Sequence, residues 1–255
     1  MIHWHCHDRY QSIPAGACAG GIAVVIDVLR ASTTIVTALF HGAVSVLPVL
    51  GVADAKAAAA RGSRLLGGER GGVRIEGFDL GNSPLEYTAD RVRVRSVVIT
   101  TTNGTAALHA CRDAREILIG AIVNRTAVAD AVRRLARTGD HVHLVCAGTE
   151  GAVSAEDVLA AGAILDAASA AGPDDVLDPA ALEARTFFRR VAASGDVQAA
   201  LVAEFRRSPG GANLVDLGMQ ADLPACAAID SLPLVPRFDH ATGRLIEMVP
   251  GTKSG

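Results

Sequence analysis

Residues 22–34, IAVVIDVLRASTT, decide the fold. Five apolar residues run without interruption into Asp27. Such a run reads as a strand buried on both faces, the pattern of a sheet covered by helices on each side. Arg30, Ser32, Thr33 and Thr34 then open a helical segment. A carboxylate at the C-terminal end of a buried strand sits where α/β sheets bind ligands. Hydroxyls and an arginine at a helix N-terminus favour phosphate or another oxyanion. A structural reading competes on even terms: Asp27 caps the helix, and Ser32 and Thr33 satisfy free amides.

Two further junctions repeat this grammar. In residues 97–107, VVITTTNGTAA, an apolar strand runs into Thr100, Thr101, Thr102, Asn103, Gly104 and Thr105, and then a helix. Hydroxyls and backbone amides there suit phosphoryl oxygens, although alone the stretch reads more simply as an N-cap and turn. In residues 144–162, LVCAGTEGAVSAEDVLAAG, Ser154 and Asp157 have capping-box spacing, with aspartate in place of the commoner glutamate. That leaves Glu156 and the glycine-rich lead-in from Gly148 to Gly151 unexplained. Acids converging from several loops suit a hard divalent cation such as Mg²⁺.

Between the first two junctions lies GGERGGVRIEGFDLGNSP, residues 67–84, with six glycines, three acids and two arginines. Glycine-rich loops with interleaved charge bring backbone close to a ligand. Glu69, Arg70, Asp79 and Asn82 are its candidate site residues.

The alternation continues along the chain. Strands are expected over 22–27, 43–48, 95–100, 116–120 and 141–147, and helices over 32–41, 53–61, 104–112, 125–138 and 155–171. Asn124 and Ser154 read as N-caps. Residues 178–207 read as all-helical, with Asp178 as N-cap and Pro179 at the first helical position, and Ser208-Pro209-Gly210-Gly211 as a break. The tail, 230–250, reads as two strands joined near Thr242-Gly243, returning to the sheet or forming a hairpin. The expected fold is a layered α/β/α domain with a largely parallel or mixed sheet and a helical C-terminal segment. Residues 1–255 form one domain, with a candidate helical subdomain at about 174–211.

Composition narrows the function. A net charge of −3 gives no reason to expect a nucleic-acid partner. The start, MIHWHCHDRY, lacks a basic end followed by an apolar core, and the apolar run near 21–50 is broken by Asp27 and Arg30. Five scattered cysteines without CxxC argue for reduced thiols, and a cytoplasmic location with no membrane span is expected.

Several phosphate chemistries are excluded by spacing. A cysteine phosphatase needs an arginine six positions after its cysteine, but position 152, six after Cys146, is alanine. A GxxxxGK[ST] loop is absent. A DxD phosphatase would need an acid at position 29, which is leucine, and Lys56 lies in an alanine-rich, exposed-looking helix. His3, His5 and His7 alternate, as do His141 and His143, so each set would share a strand face. No acid or cysteine completes a metal site there, and polar-face roles are expected.

The ordered pieces AVVIDVLRASTTI, GER with IEGFDLGNSP, ITTTNGT, CAGTEG with SAEDVLAAG, and VP…G-x-[LI] span Val24 to Met248. Together they resemble the 2-phosphosulfolactate phosphatase family of coenzyme M biosynthesis. The resemblance implies Mg²⁺-dependent hydrolysis of 2-phosphosulfolactate to sulfolactate and phosphate. The mechanism expected with it has the metal held by Asp27, Glu156 and Asp157, with Glu69 and Asp79 as further ligand candidates, and Asp27, Arg30, Glu69 and Asp79 in catalysis. Substrate would meet Ser32, Thr33, Arg70, Asn82, Thr101, Thr102, Asn103, Gly104 and Thr105. Attack comes either from a metal-positioned water or from Asp27 through a phospho-aspartate. The alternatives are a phosphatase for another phosphorylated 2-hydroxy acid, or a non-catalytic organic-anion-binding protein. A homodimer is compatible with this chain size and is encoded by no feature of the sequence.

Overall fold

A computed structural model describes residues 1–62, 64–169 and 175–248. The N-terminal half contains β1 (His3–His7), β2 (Ile22–Ile26), α1 (Ala31–Phe40), β3 (Ser45–Pro48), α2 (Val52–Ala60), β4 (Arg64–Arg70), β5 (Val73–Arg74), α3 (Ala89–Val92), β6 (Ser96–Thr100) and α4 (Gly104–Ala110). It continues with β7 (Glu116–Gly120), α5 (Arg125–Leu135), β8 (His141–Cys146), α6 (Ala155–Ser169), β9 (Val176–Leu177) and α7 (Pro179–Ala192). The chain ends with α8 (Val197–Arg207), α9 (Pro209–Asp216), α10 (Asp222–Cys226), β10 (Pro236–Asp239) and β11 (Arg244–Glu247).

The strands form one mixed sheet in the order β5-β4-β6-β3-β11-β10-β7-β2-β8-β1-β9. Strands β4, β6 and β3 run parallel to one another, and so do β7, β2, β8, β1 and β9. The expected tail hairpin, β10–β11, is wedged between these two parallel blocks and is antiparallel to both. Each seam is a single paired position, Arg237 with Leu118 and Leu245 with Val46. The tail therefore both forms a hairpin and returns to the sheet, at its centre.

Pleating divides the core. Ile22, Val24 and Ile26 of β2 pack with Leu144 and Cys146 of β8 under α5, α6 and the C-terminal helices. Ala23 and Val25 point the other way, with Ile117, Ile119, Phe238 and Leu245, under α1 and α4. Helices thus cover both faces, as expected for an α/β/α layering.

Four local expectations change. Gly67–Arg70, read as loop, continues β4, because Gly67 and Gly68 bring the strand against the Tyr87 hydroxyl and the Thr100 carbonyl, where no Cβ fits. The region 178–207 is two helices, and Asp196 caps the second by accepting the Ala199 N–H. Ser208 starts α9 rather than only ending α8: its hydroxyl accepts the Gly211 N–H with Pro209 at the first helical position. Asn124 makes no side-chain cap, because its amide is spent on a corner: Oδ1 accepts the Ala121 N–H, and Nδ2 donates to the Ile119 and Leu234 carbonyls. Asp230 accepts the Thr126 N–H instead. Asp178 caps α7 as expected, accepting from Ala181 N. The start of the proposed subdomain, at 174, and the last residues of the helix expected to 171 lie outside the described residues.

Candidate active site

The ends of β2, β4 and β6 meet the N-terminal turn of α9 around a cleft. Asp27, Arg30, Glu69, Asn82, Thr102 and Asn103 line it, six of the residues singled out in the sequence. Leu29, Gly71, Gly72, Thr149, Glu150, Gly210, Asn213 and Leu214 complete the lining.

Asp27 follows β2 directly and is buried. Its Oδ1 accepts the Ala31 N–H at 3.2 Å. Its backbone N–H donates to Ser32 Oγ, which in turn donates to the Val25 carbonyl. Burial, followed by the negative charges of Glu69 and Glu156, raises the Asp27 carboxyl to about 7, against the Ala31 amide and Arg30, which lower it. Gly104 begins α4 against this carboxylate; an added Cβ would lie 2.6 Å from Asp27 Oδ2. Glycine is therefore required for that close approach.

Glu69, next to last in β4, ties three segments together. Its Oε1 accepts the Thr102 N–H at 2.8 Å and the Thr102 hydroxyl at 3.1 Å, and its Oε2 accepts the Gly72 N–H at 2.8 Å. Arg30 donates through Nη2 to the Gly72 carbonyl at 2.7 Å and through Nη1 to Asp222 Oδ2 at 2.7 Å. The Gly72 peptide is thus held at both ends, and its φ of +85° places Cα against Asn213 and Leu217. Asn82 is buried, its carbonyl accepts the Thr34 hydroxyl, and its side-chain Oδ1 has no partner.

The third junction contributes from behind. Asp157 does not cap Ser154. Its Oδ1 accepts the Val28 N–H at 2.8 Å and its Oδ2 the Gly148 N–H at 3.1 Å, so it ties the ends of β2 and β8 together. Ser154 instead pairs with the Thr149 hydroxyl. Glu156 is buried, and its Oε2 has no partner among the described residues. An added Cβ on Gly210 would lie 2.7 Å from Glu156 Oε1, which sets the carboxylate under the first turn of α9. Burial raises both carboxyls, and Asp157 is raised further by Asp27 and Glu156.

The remaining sequence candidates make structural bonds and do not line the cleft. The Thr33 hydroxyl donates to the Val28 carbonyl. Thr101 and Thr105 cap each other: Thr101 Oγ1 accepts the Thr105 N–H, and Thr105 Oγ1 donates to the Thr101 carbonyl. Arg70 donates to the carbonyls of Glu69 and Leu50 and to Thr100 Oγ1. Asp79 accepts the Leu66 N–H. Asn213 and Asp222 escaped the sequence reading. Both come from the C-terminal helices, far in sequence from any loop that carries a ligand-binding pattern.

The histidines form a separate structure. On the parallel pair β1–β8, His3, His5 and His7 stack with His141 and His143, with ring centroids 4.9–5.3 Å apart. His7 Nε2 lies 3.0 Å from His143 Nδ1, and His5 bridges His141 and Asp178. Burial, then the neighbouring His5, His7 and His141, lowers His143 to about 4. Cys146 is a buried thiol held well above its ordinary range by contact with Cys6 and by burial, which suits it to packing rather than attack.

Residues 7–241 match the family described as 2-phosphosulpholactate phosphatase. The chain belongs to this family. A probable 2-phosphosulfolactate phosphatase of Symbiobacterium thermophilum is 44% identical over 239 residues, covering 92% of this chain and 98% of that protein. One from Synechococcus sp. (strain RCC307) is 41% identical over 244 residues, covering 94% and 96%. One from Deinococcus radiodurans is 44% identical over 219 residues, covering 84% and 86%. Membership of the 2-phosphosulpholactate phosphatase family makes the chain a phosphoric monoester hydrolase. No described helix is long and apolar enough to cross a membrane.

Proposed function

We propose that this chain hydrolyses 2-phosphosulfolactate to sulfolactate and inorganic phosphate in a Mg²⁺-dependent reaction, with the cleft at Asp27 as its active site. The observation that carries this reading is a charge imbalance. Asp27, Glu69, Glu156, Asp157 and Asp222 are all buried around the cleft, whereas Arg30 is the one buried arginine among the described residues. An anionic substrate entering such a site needs a further positive charge between itself and the acids.

A hard divalent cation fits that need. Among the described residues no three His, Cys, Asp or Glu side chains form a ready-made metal cage. Mg²⁺ does not require one, because it keeps several waters and takes one or two carboxylates together with substrate phosphate. Among the described residues Asp27 Oδ2 has no protein hydrogen bond and Glu156 Oε2 is buried without a partner, and these are the carboxylates we assign to it. Asp157 is better suited to positioning, since both its oxygens hold backbone N–H groups. When bound, the metal would neutralise phosphoryl oxygens and lower the pKa of a coordinated water.

The residues of the chain divide the rest of the task. Asp27 faces the phosphoryl end and orients the attacking water, a role favoured over a phospho-aspartate by the absence of a second acid at position 29. Asn82 and the Asn103 turn offer hydrogen bonds to substrate oxygens. Arg30 meets the substrate's carboxylate or sulfonate with the N–H groups that Asp222 and Gly72 leave open. Glu69 holds the Thr102 and Gly72 walls in place. Phosphate release with and without Mg²⁺ tests the activity. Acid-quenched turnover of ³²P-labelled substrate tests the route: no phosphoryl-enzyme is expected, and a hydroxylamine-sensitive phosphate trapped on Asp27 would overturn the water attack.

A further inference from the structure

We infer that Asp222 is a positioning residue that sets recognition of the substrate's non-phosphate oxyanion, an inference that rests on the hydrolase reading above. Its carboxylate holds two cleft segments at once. Oδ2 accepts from Arg30 Nη1 at 2.7 Å, and Oδ1 accepts the Ser83 hydroxyl at 2.6 Å. Arg30 and Asp222 are each 2% exposed, so this ion pair lies away from water and is not screened by it.

The consequences spread along both arms. On the first, Arg30 is also fixed by the Gly72 carbonyl and by Met219 Sδ at 3.0 Å. Those contacts account for three of the five guanidinium N–H groups, leaving two for a ligand in the cleft that Arg30 lines. On the second arm, Ser83 is held by Asp222 while the preceding residue, Asn82, is held through its carbonyl by Thr34. The Asn82 amide, with its buried unpartnered Oδ1, is thereby fixed in the cleft wall. One carboxylate on α10 therefore locks the only buried arginine among the described residues and a polar wall residue in register. A guanidinium locked this way binds a carboxylate or sulfonate without first losing its own rotamer freedom.

The test compares wild type, Asp222→Asn and Ser83→Ala under saturating Mg²⁺, with 2-phosphosulfolactate as substrate and sulfolactate as a calorimetric probe. Ser83→Ala is included because it keeps the buried Arg30–Asp222 pair and folds even if Asp222→Asn does not. The expected result is a KM raised about tenfold in Asp222→Asn and about threefold in Ser83→Ala, with kcat within about twofold. Sulfolactate affinity falls in the same order. A loss confined to kcat, or unchanged KM and unchanged sulfolactate affinity in Ser83→Ala, would overturn the inference. Failure of the wild type to release phosphate would count against the hydrolase reading alone, because sulfolactate binding reads the Asp222 arm separately.

Discussion

Gly104 and Asp27 touch so closely that a methyl group on Gly104 would lie 2.6 Å from Asp27 Oδ2 and 2.7 Å from Ala31 Cβ. The N-terminus of α4 and the carboxylate that ends β2 are therefore one unit, although 77 positions separate them in sequence. Gly104→Ala forces either the helix or the carboxylate to move. We predict a fall in kcat/KM of about 100-fold with a stability loss of about 1–3 kcal/mol, read by steady-state kinetics and urea unfolding. Wild-type kinetics in this variant would show that the contact has no bearing on turnover.

Asp27 and Asp157 are distinguished by what their oxygens already hold. Asp157 has given both to Val28 and Gly148, whereas Asp27 keeps Oδ2 free of protein partners. Mg²⁺ is expected to raise the melting temperature of the wild type, to do so still in Asp157→Asn, and to have no effect in Asp27→Asn. Asp157→Asn should itself cost about 1–3 kcal/mol, because its amide nitrogen cannot accept an N–H. A Mg²⁺ shift lost in Asp157→Asn and kept in Asp27→Asn would reverse the assignment.

The histidine stack predicts a pH effect of definite sign. His143 is held at about 4 in the folded chain against 6.5 when unperturbed, first by burial and then by its histidine neighbours. As pH falls from 6.5 towards 4, the unfolded chain takes up a proton that the folded one refuses, so this group's contribution to stability is lost over that window. Asp27 acts in the opposite direction, its raised pKa letting the folded state hold the extra proton. The informative quantity is therefore the difference between wild type and His143→Asn. Melting temperatures measured from pH 7.5 to 5 should show wild type losing ground to the variant as pH falls. A constant difference would contradict the assignment.

The β10–β11 hairpin joins the two parallel blocks through one paired position on each side, so side-chain contacts, the two-pronged Arg237–Glu116 ion pair among them, supplement the ladder bonds. Phe238 adds packing at 2% exposure, with the Arg112 guanidinium 4.7 Å from its ring centroid. Phe238→Ala should cost about 3–5 kcal/mol. A cost below about 1 kcal/mol by urea unfolding would show that the seam is held otherwise.

Much of this was legible in the chain, for identifiable reasons. Unbroken apolar runs ending in a polar cluster marked β2, β6 and β8, because burial on both faces forbids interruption. The same junctions yielded Asp27, Arg30, Thr102 and Asn103 of the cleft. Strand β4 was hidden because Gly67 and Gly68 carry no strand signal, and their purpose, close approach to Tyr87 and Thr100, exists only in three dimensions. Hydroxyls at the helix starts were legible as present but not as to direction: Thr33, Thr101 and Thr105 turned to backbone partners. Asp222 was invisible, since it sits in a five-residue helix and its partners are 139 and 192 positions away.

Phosphate release from 2-phosphosulfolactate, assayed with Mg²⁺ and with excess EDTA beside phospholactate and phosphoglycerate, tests the central claim most directly. The expected result is release that requires Mg²⁺, is strongest with 2-phosphosulfolactate and is abolished in Asp27→Asn. Release that persists in EDTA, or in Asp27→Asn at the wild-type rate, would contradict it.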